Sequence, residues 1–263
     1  MAGQFSFPGV TLLITHYNRS ASLSRLLARF RELNCRFDEI VVSDDASKPE
    51  HQQKIKELQQ EYGFRLVSTP VNKGFPANIN RGLDAVKTPY SLYVQEDFIP
   101  SDICPAHLQD ALGFMNDDKS LDYIRFWSFY RYPTLKPYGK GFSETIYNPW
   151  TLNHLSFFMY SDNPHLRRSN FFQRFGRYQE GIDGNIAEHN MSISYIQNKG
   201  KGLFYDEYQA LFTHANSADE PSTFDRANWR QSRNPAFLAM RWLYLRFKWY
   251  KSLREVKTMP RQI

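Results

Sequence analysis

The pairs of adjacent carboxylates at Asp44-Asp45 and Glu96-Asp97 each closely follow a run of apolar residues. Asp44 and Asp45 come after the run that ends at Ser43, and Glu96 and Asp97 come shortly after Tyr90 to Val94. Carboxylate oxygens are the ligands that hard divalent cations prefer, especially beside phosphate oxygens. Each pair therefore indicates a cation or polar-ligand site, although exposed acids more commonly belong to a solvated turn.

The segments around these acids alternate between apolar runs and amphipathic stretches. This alternation predicts right-handed βαβ units and a parallel sheet. Ligands bind beyond the carboxyl ends of parallel strands, so acids placed there are expected to meet a ligand. The predicted strands are 10–14, 37–43, 64–68 and one from Tyr90; the predicted helices are one capped by Ser20 or Ser22, one over 48–62 and one ending at Val86.

The pattern is less regular beyond Pro100. Pro, Gly and Tyr are frequent over 130–150, which indicates a hairpin or loop. Aromatic side chains that could stack on sugar rings or fill a core are Phe126, Trp127, Phe129, Tyr130, Trp150 and Phe157. The remaining predicted elements are a helix over 105–115, a strand over 121–129, a short basic helix over 163–175, a helix over 182–197 and a strand over 202–205.

Composition narrows the class of protein. The chain has 263 residues, 41% of them hydrophobic, and a formal charge of +6, which favours acidic partners such as nucleotide phosphates or an anionic membrane. Its two cysteines specify no disulfide framework. No apolar stretch approaches the roughly 20 residues that span a bilayer. We expect a cytoplasmic protein, either free or peripheral on the cytosolic face of a membrane.

The last predicted helix, over 235–256, is rich in tryptophan and in basic residues. Its apolar side chains form one stripe, which either docks on the domain or lies on an anionic membrane surface through residues 235–257. The stripe consists of Leu238, Trp242, Leu245, Trp249, Leu253 and Val256.

The order of these motifs resembles glycosyltransferase family 2, whose members have the GT-A fold. The resemblance rests on Tyr17-Asn18-Arg19, on Asp44-Asp45-x-Ser47, and on two Asn-x-Gly elements at Asn72 and Asn80. It implies an α/β, Rossmann-like, mostly parallel sheet flanked by helices, and transfer of a sugar from a nucleotide diphosphate sugar. The donor-binding residues implied are Thr15, Tyr17, Arg19, Asp44, Asp45, Lys73, Gly74, Asn80, Arg81 and Glu96.

The metal motif of that family, Asp-x-Asp, is altered in this chain. It falls on Gln95-Glu96-Asp97, so its first acid is a glutamine. The resemblance implies that Asp97 and His214 hold Mn²⁺ or Mg²⁺, with Glu96 as a source of the missing charge. A cation there would neutralise the leaving diphosphate.

The family also places an acid about a dozen residues before a glycine, and Glu188 precedes Gly200 at that spacing. An inverting transferase needs a carboxylate to take the proton of the acceptor hydroxyl. Glu188 is the first choice for this base, with Glu180 and Asp183 as alternatives. The acceptor implied is a carbohydrate or a lipid-linked carbohydrate.

Three alternative functions can be compared with the sequence. A sugar nucleotidyltransferase would need a glycine-rich loop, and 15–22 contains no glycine. A degenerate GT-A protein would explain Gln95, and a basic adaptor would use the Arg241 to Lys257 helix. On the preferred hypothesis, 1–101 is the donor half, 102–225 the acceptor half and 226–263 a basic extension.

Overall fold

The computed structural model describes residues 4–215 and 235–261. Its elements, in chain order, are β1 (Phe5–His16), α1 (Ser20–Glu32), β2 (Cys35–Asp44), α2 (Pro49–Tyr62), β3 (Arg65–Ser68), α3 (Phe75–Asp84), β4 (Tyr90–Gln95), β5 (Phe98–Pro100), α4 (Cys104–Asp117), β6 (Tyr123–Arg125), β7 (Leu135–Gly139), β8 (Phe142–Thr145), β9 (His165–Arg168), α5 (Phe171–Phe175), α6 (Gly184–Gln197), β10 (Gly202–Tyr205), β11 (Phe212–His214) and α7 (Pro235–Thr258).

A nine-stranded sheet connects the two halves of the chain, with strand order β3-β2-β1-β4-β9-β6-β10-β8-β7. β1 pairs in parallel with β2 and β4, and β2 pairs in parallel with β3, which confirms the predicted βαβ series. Thr15 lies opposite both Ser43 and Gln95, so the carboxyl ends of β1, β2 and β4 are level. We call this edge of the sheet the carboxyl rim.

β1 is buried on both of its faces because helices cover both sides of the sheet. Leu12 and Ile14 belong to the core that includes α1 and α4, while Leu13 belongs to the core that includes α3 and α6. Gly82 allows α3 to lie close to the sheet, since a Cβ at this position would be 2.8 Å from Leu13 Cδ1 and 3.1 Å from Ser43 Cβ. This close packing positions the loop that precedes α3 at the carboxyl rim.

The predicted short basic helix over 163–175 is wrong. Residues His165–Arg168 form β9, which pairs antiparallel with both β4 and β6, and only Phe171–Phe175 is helical. Arg167 is 2% exposed and lies over two phenylalanine rings of α5. Arg168 donates hydrogen bonds to main-chain carbonyls at the end of α4. Tertiary contacts of both arginines thus stabilise a strand that the local pattern does not indicate.

Two further predictions need correction. The strand predicted over 121–129 is limited to Tyr123–Arg125, because its neighbours β9 and β10 offer only short runs for pairing. Ser20 and Ser22 do not cap α1; both are buried inside it, and Arg19 occupies the N-cap position without a side-chain cap bond. The hairpin prediction for 130–150 is confirmed by the antiparallel pair β7 and β8.

α7 docks on the body through only part of the predicted stripe. Trp249 and Leu253 pack against the core that includes α6, and the indole Nε1 donates to the Pro149 carbonyl at 2.9 Å. Leu238 and Trp242, on the same stripe, are 46% and 57% exposed. In the described part of the chain, no helix combines the length and the apolar character needed to cross a membrane.

Candidate active site

Asp97 is the centre of an ion network at the carboxyl rim. Arg19 Nη1, from the loop after β1, lies 2.6 Å from Asp97 Oδ2, and His214 Nε2 lies 3.2 Å from the same oxygen. His214 reaches this position because β11 pairs antiparallel with β5, which places it opposite Phe98. Asp97 is 6% exposed, so Glu96-Asp97 is not a solvated acidic turn. Three segments that are distant in the chain therefore meet at one carboxylate.

The environment of Asp97 keeps its carboxylate ionised. Burial by itself raises the pKa, but the hydrogen bond with His214 and the charge of Arg19 outweigh it and lower the pKa of Asp97 below its ordinary value. Oδ1 is buried and has no hydrogen-bond partner among the described residues. A negative charge with one unsatisfied oxygen suits a cation or a donor group of a ligand.

The pair of Asp97 and His214 fits a divalent cation only if the ligand supplies most of the coordination. Within 4–215 and 235–261 there is no group of three or more His, Cys, Asp or Glu side chains arranged to hold a metal. An aspartate oxygen and an imidazole are acceptable ligands for Mn²⁺, and diphosphate oxygens and water could complete the shell. The position of the missing acid is held by Gln95, opposite Thr15.

Asp44 is held from inside the protein. His16 Nδ1 lies 2.8 Å from Asp44 Oδ1, and His16 Nε2 accepts the N–H of Arg19 at 3.2 Å, which assigns the ring proton to Nδ1. The Ser47 hydroxyl donates to the same carboxylate oxygen at 2.5 Å. Burial raises the pKa of Asp44, but the bonds from His16 and Ser47 lower it overall. His16, which the sequence analysis did not single out, thus connects the loop after β1 to the end of β2.

Asp45 fixes the loop before α3. Its Oδ2 accepts the N–H of Gly74 at 2.7 Å and that of Lys73 at 3.1 Å. Gly74 has φ +84°, a conformation that a side chain would disfavour. Arg81 Nη2 lies 3.3 Å from Asp45 Oδ1 and donates to the Asp44 carbonyl at 3.0 Å. Three of the predicted donor-binding residues thus contact the carboxylate of a fourth, Asp45.

A cavity of about 410 Å³ opens beside Asp44, between α2 and the end of β3. Its polar lining includes Gln52, Lys56, Ser68 and Thr69. A space of this size at the carboxyl ends of parallel strands is where a planar base can be held between a helix and the sheet.

Of three other residues predicted to bind the donor, one lies at the rim and two lie in the interior. Tyr17 is 37% exposed at the rim. Thr15 Oγ1 lies 2.9 Å from Tyr93 Oη, inside the protein. Asn80 is 1% exposed, and its Nδ2 donates to Glu180 Oε1 at 2.9 Å. Asn80 therefore joins α3 to the segment before α6.

The carboxylates predicted as the base occupy different environments along α6. Asp183 caps α6, accepts the N–H of Asn185 at 2.9 Å and is exposed. The start of α6 lies against the start of α3, since a Cβ at Gly184 would be 3.4 Å from Phe75 Cδ1. Glu188, more than a turn further along, is partly buried, and its Oε1 accepts the N–H of Asp162 at 3.1 Å. Asp183 and Glu180 are both exposed, and Asp183 directly precedes Gly184, where α6 contacts the start of α3.

Aromatic rings line the side of the rim at His214. The rings of Trp127 and Phe129 lie 5.9 Å and 6.0 Å from its imidazole. Trp127 is 5% exposed and Phe129 is 39% exposed, so Phe129 presents an apolar surface beside Asp97. Phe126 and Phe157, by contrast, are fully buried and belong to the core.

Asp162 is a titratable residue near the site that the sequence analysis missed. Burial, followed by the charge of Glu188 and a hydrogen bond with it, raises the pKa of Asp162 well above its ordinary value. The raised pKa favours the protonated form of the Asp162 carboxyl beside Glu188. It precedes β9 in a Ser-Asp-Asn-Pro segment that has the composition of a turn, so no local signal marks it.

The protonated Asp162 makes a testable contribution to stability. Between the pKa of the unfolded chain and the raised pKa of the folded protein, only the folded state holds the proton, so stability falls as pH rises. In Asp162→Asn this loss disappears. We expect the free energy of unfolding of the variant, relative to the parent, to increase from pH 5 to pH 8, by at most about 1.4 kcal/mol per pH unit. Urea unfolding at several pH values measures it.

The matched control for that measurement is Asp117→Asn, at an exposed position at the end of α4. Its stability relative to the parent should change little over the same pH range. A difference between Asp162→Asn and the parent that stays constant with pH would contradict a protonated Asp162.

The chain is similar to known proteins in sequence and in fold. The sequence model of the family described as Glycosyl transferase family 2 matches residues 11–175. No curated protein matches the sequence. Among solved structures, TarS 1–349 of S. aureus in complex with UDP-GlcNAc has a TM-score of 0.58 at 14% identity, covering 83% of this chain and 62% of that chain.

A mannosyltransferase of Pyrobaculum calidifontis, PcManGT, in complex with GDP-Man and Mn²⁺, has a TM-score of 0.55 at 13% identity, covering 95% of this chain and 75% of that chain. This chain spans less than two thirds of the length of the TarS 1–349 structures that it matches. The likenesses confirm the α/β fold of GT-A type. The family match ends before Asp183, Glu188 and His214, so it carries no information on these three residues.

Proposed function

The chain belongs to glycosyltransferase family 2. We propose that it is a glycosyltransferase that moves a sugar from a nucleotide diphosphate sugar to a hydroxyl of a carbohydrate or lipid-linked carbohydrate, with inversion. The observation that carries the proposal is the convergence of Arg19, His214 and Asp97 at the rim, beside the loop held by Asp45. Such a site fits the synthesis of a polysaccharide or glycoconjugate.

The donor would lie across the ends of β1, β2 and β4. The cavity beside Asp44 has room for the base, and the diphosphate would then run toward Arg19 and the loop at Lys73. Solved neighbours hold UDP-GlcNAc, UDP or GDP-Man, which supports a nucleotide sugar as the donor class. Asp44 and Asp45 act mainly by positioning, because internal partners already engage both carboxylates.

Asp97 and His214 are the residues that would hold Mn²⁺ or Mg²⁺, with Glu96 nearby. The cation would supply charge neutralisation for the leaving diphosphate. In this chain Arg19 already places a guanidinium on Asp97, so part of the positive charge at this position is built into the protein. The complex of PcManGT with Mn²⁺ supports the use of a divalent cation.

We rank Asp183 first among the three carboxylates for the base. It is exposed beside the start of α3, whereas Glu180 bonds Asn80 and Glu188 is engaged with Asp162. As the acceptor oxygen attacks the anomeric carbon, its proton would pass to this carboxylate and the bond from the sugar to the diphosphate would break. Phe129 offers a surface on which a sugar ring can stack.

In this proposed function, three segments of the chain have different roles. Residues 1–101 hold the donor, 102–225 hold the acceptor, and 226–263 form a basic extension that favours a peripheral contact with an anionic membrane. A lipid-linked acceptor would be available at such a surface. A basic adaptor without enzyme activity would use the same extension, but it would not account for the buried ion network of Asp97.

A thermal-shift screen of nucleotide diphosphates and their sugars, with Mn²⁺ and with a chelator, tests the donor site. At a ligand concentration of 100 Kd, we expect stabilisation of about 2.7 kcal/mol. For a chain of this size that corresponds to a Tm increase of roughly 5–10 °C, confined to one nucleotide and smaller with chelator. Transfer of labelled sugar from that donor then tests turnover. A protein that no nucleotide stabilises would contradict the proposal.

A further inference from the structure

α7 carries a second apolar stripe that faces away from the body of the protein. Met240, Leu243, Phe247 and Tyr250 are 52%, 61%, 64% and 60% exposed. Their spacing of three, four and three residues places them on one face of a helix. At 100° per residue, this face lies on the side opposite Trp249, which is packed on the body. We call these four residues the outward stripe.

The outward stripe is surrounded by positive charge. Between Pro235 and Thr258 the sequence contains six lysines and arginines and a single acid, Glu255. Glu255 is already engaged, with its Oε2 2.8 Å from His189 Nε2 and its Oε1 3.6 Å from Lys251 Nζ. The surface around the stripe therefore combines cations with aromatic and aliphatic side chains.

The apolar side chains of the outward stripe and the cations around it favour one kind of binding partner over the others. A second copy of the helix would bring like charges together, with no acid on either outward stripe to compensate them. Nucleic acid would attract the cations but would leave the aliphatic side chains in water. An anionic lipid surface accepts both, since apolar side chains enter the acyl boundary and Lys and Arg remain among the headgroups.

The packing of the opposite face fixes how the helix is presented. Gln197, at the end of α6, donates to the carbonyls of Val256 and Met259 at 3.1 Å and 2.9 Å. α7 is thereby attached to α6, whose N-cap is the proposed base Asp183. A surface bound by the outward stripe would be joined directly to the acceptor half of the protein.

We propose that the outward stripe inserts into the interface of an anionic membrane while the Trp249 face holds the helix on the protein. The inference rests on the proposed function and deepens it, because it identifies the residues that contact the membrane. They are distinct from the predicted Leu238 to Val256 stripe, in which Trp249 docks the helix on the body. Its test does not depend on sugar transfer.

The experiment is flotation of the full chain with phosphatidylcholine vesicles, with and without about one third phosphatidylglycerol. We expect the parent to float only with the anionic vesicles, and less at high salt. Leu243→Glu and Phe247→Glu should each lower the bound fraction at least tenfold. Ile103→Glu is the matched control, because Ile103 is 48% exposed before α4, and it should bind like the parent.

Circular dichroism and the nucleotide-induced thermal shift verify that each variant is folded and that its donor site is intact. Parent-like flotation of folded Phe247→Glu would overturn the proposal. So would a lipid-free dimer that Phe247→Glu dissociates, because the stripe would then be an interface between copies. Flotation that depends on the stripe in a protein that transfers no sugar would refute the proposed reaction and leave this inference standing.

Discussion

Replacement of Asp97 by Asn should lower kcat/KM for sugar transfer by roughly 100-fold or more. The substitution removes the charge that holds Arg19 and His214 at the rim, and with it the oxygen that would face a cation or the diphosphate. Because the pKa of Asp97 is below its ordinary value, the parent carries this charge at every pH used for an assay. Initial rates at saturating and limiting donor separate the effect on kcat from that on KM.

Breaking a buried ion pair can also destabilise a protein by about 3–5 kcal/mol, so folding has to be measured in the same samples. Asp97→Glu retains the charge and should recover part of the activity. Asp102→Asn is the matched control, because Asp102 is only five residues after Asp97 and forms an exposed ion pair with Arg29. Parent-like rates are expected for this variant. A folded Asp97→Asn protein with parent activity would show that Asp97 is outside the active site.

Asp183→Asn should lower kcat by about 100- to 10,000-fold while leaving the KM for the donor unchanged, since a general base acts only when the acceptor is deprotonated. Asn is as good an N-cap as Asp, so α6 should remain stable and the loss can be assigned to chemistry. Single-turnover rates at saturating donor provide the measurement, because they isolate the chemical step from donor binding and product release.

Glu188→Gln and Glu180→Gln are the comparisons for this experiment. Both alter contacts that hold α6 or α3, so moderate losses are expected through positioning. If Glu188→Gln, still folded, is the most damaged of the three, the base is Glu188, as the spacing to Gly200 first indicated. If all three retain parent kcat, none of them is the base.

The first half of the fold could be predicted because local sequence and tertiary structure agree there. Val10 to Ile14 is continuously apolar, and the structure buries it on both faces of the sheet. Acids that follow such strands reach the carboxyl rim in any parallel arrangement, so Asp45 and Asp97 could be placed without coordinates. The family resemblance, now confirmed, followed from the order of the motifs in this half of the chain.

The remainder depends on partners that are remote in sequence. β9 is a strand because its two arginines contact rings and carbonyls contributed by other elements, and the local sequence pattern does not indicate these partners. The carboxyl pair of Asp162 and Glu188 exists because the entry to β9 lies beside α6. In α7 the apolar spacing correctly predicts a helix, but it does not show which face the body covers, and the sequence analysis recognised one stripe where the helix has two.

The insertion of β9 between β4 and β6 has a consequence for biosynthesis. When the first hundred residues have left the ribosome, one side of β4 still lacks its hydrogen-bonding neighbour, because residues His165–Arg168 have not yet been translated. Until they arrive, nascent chains expose an open sheet edge of the kind that pairs with other chains and aggregates. Chaperone capture during this interval is therefore expected to matter more for this protein than for one whose parallel sheet is completed in chain order.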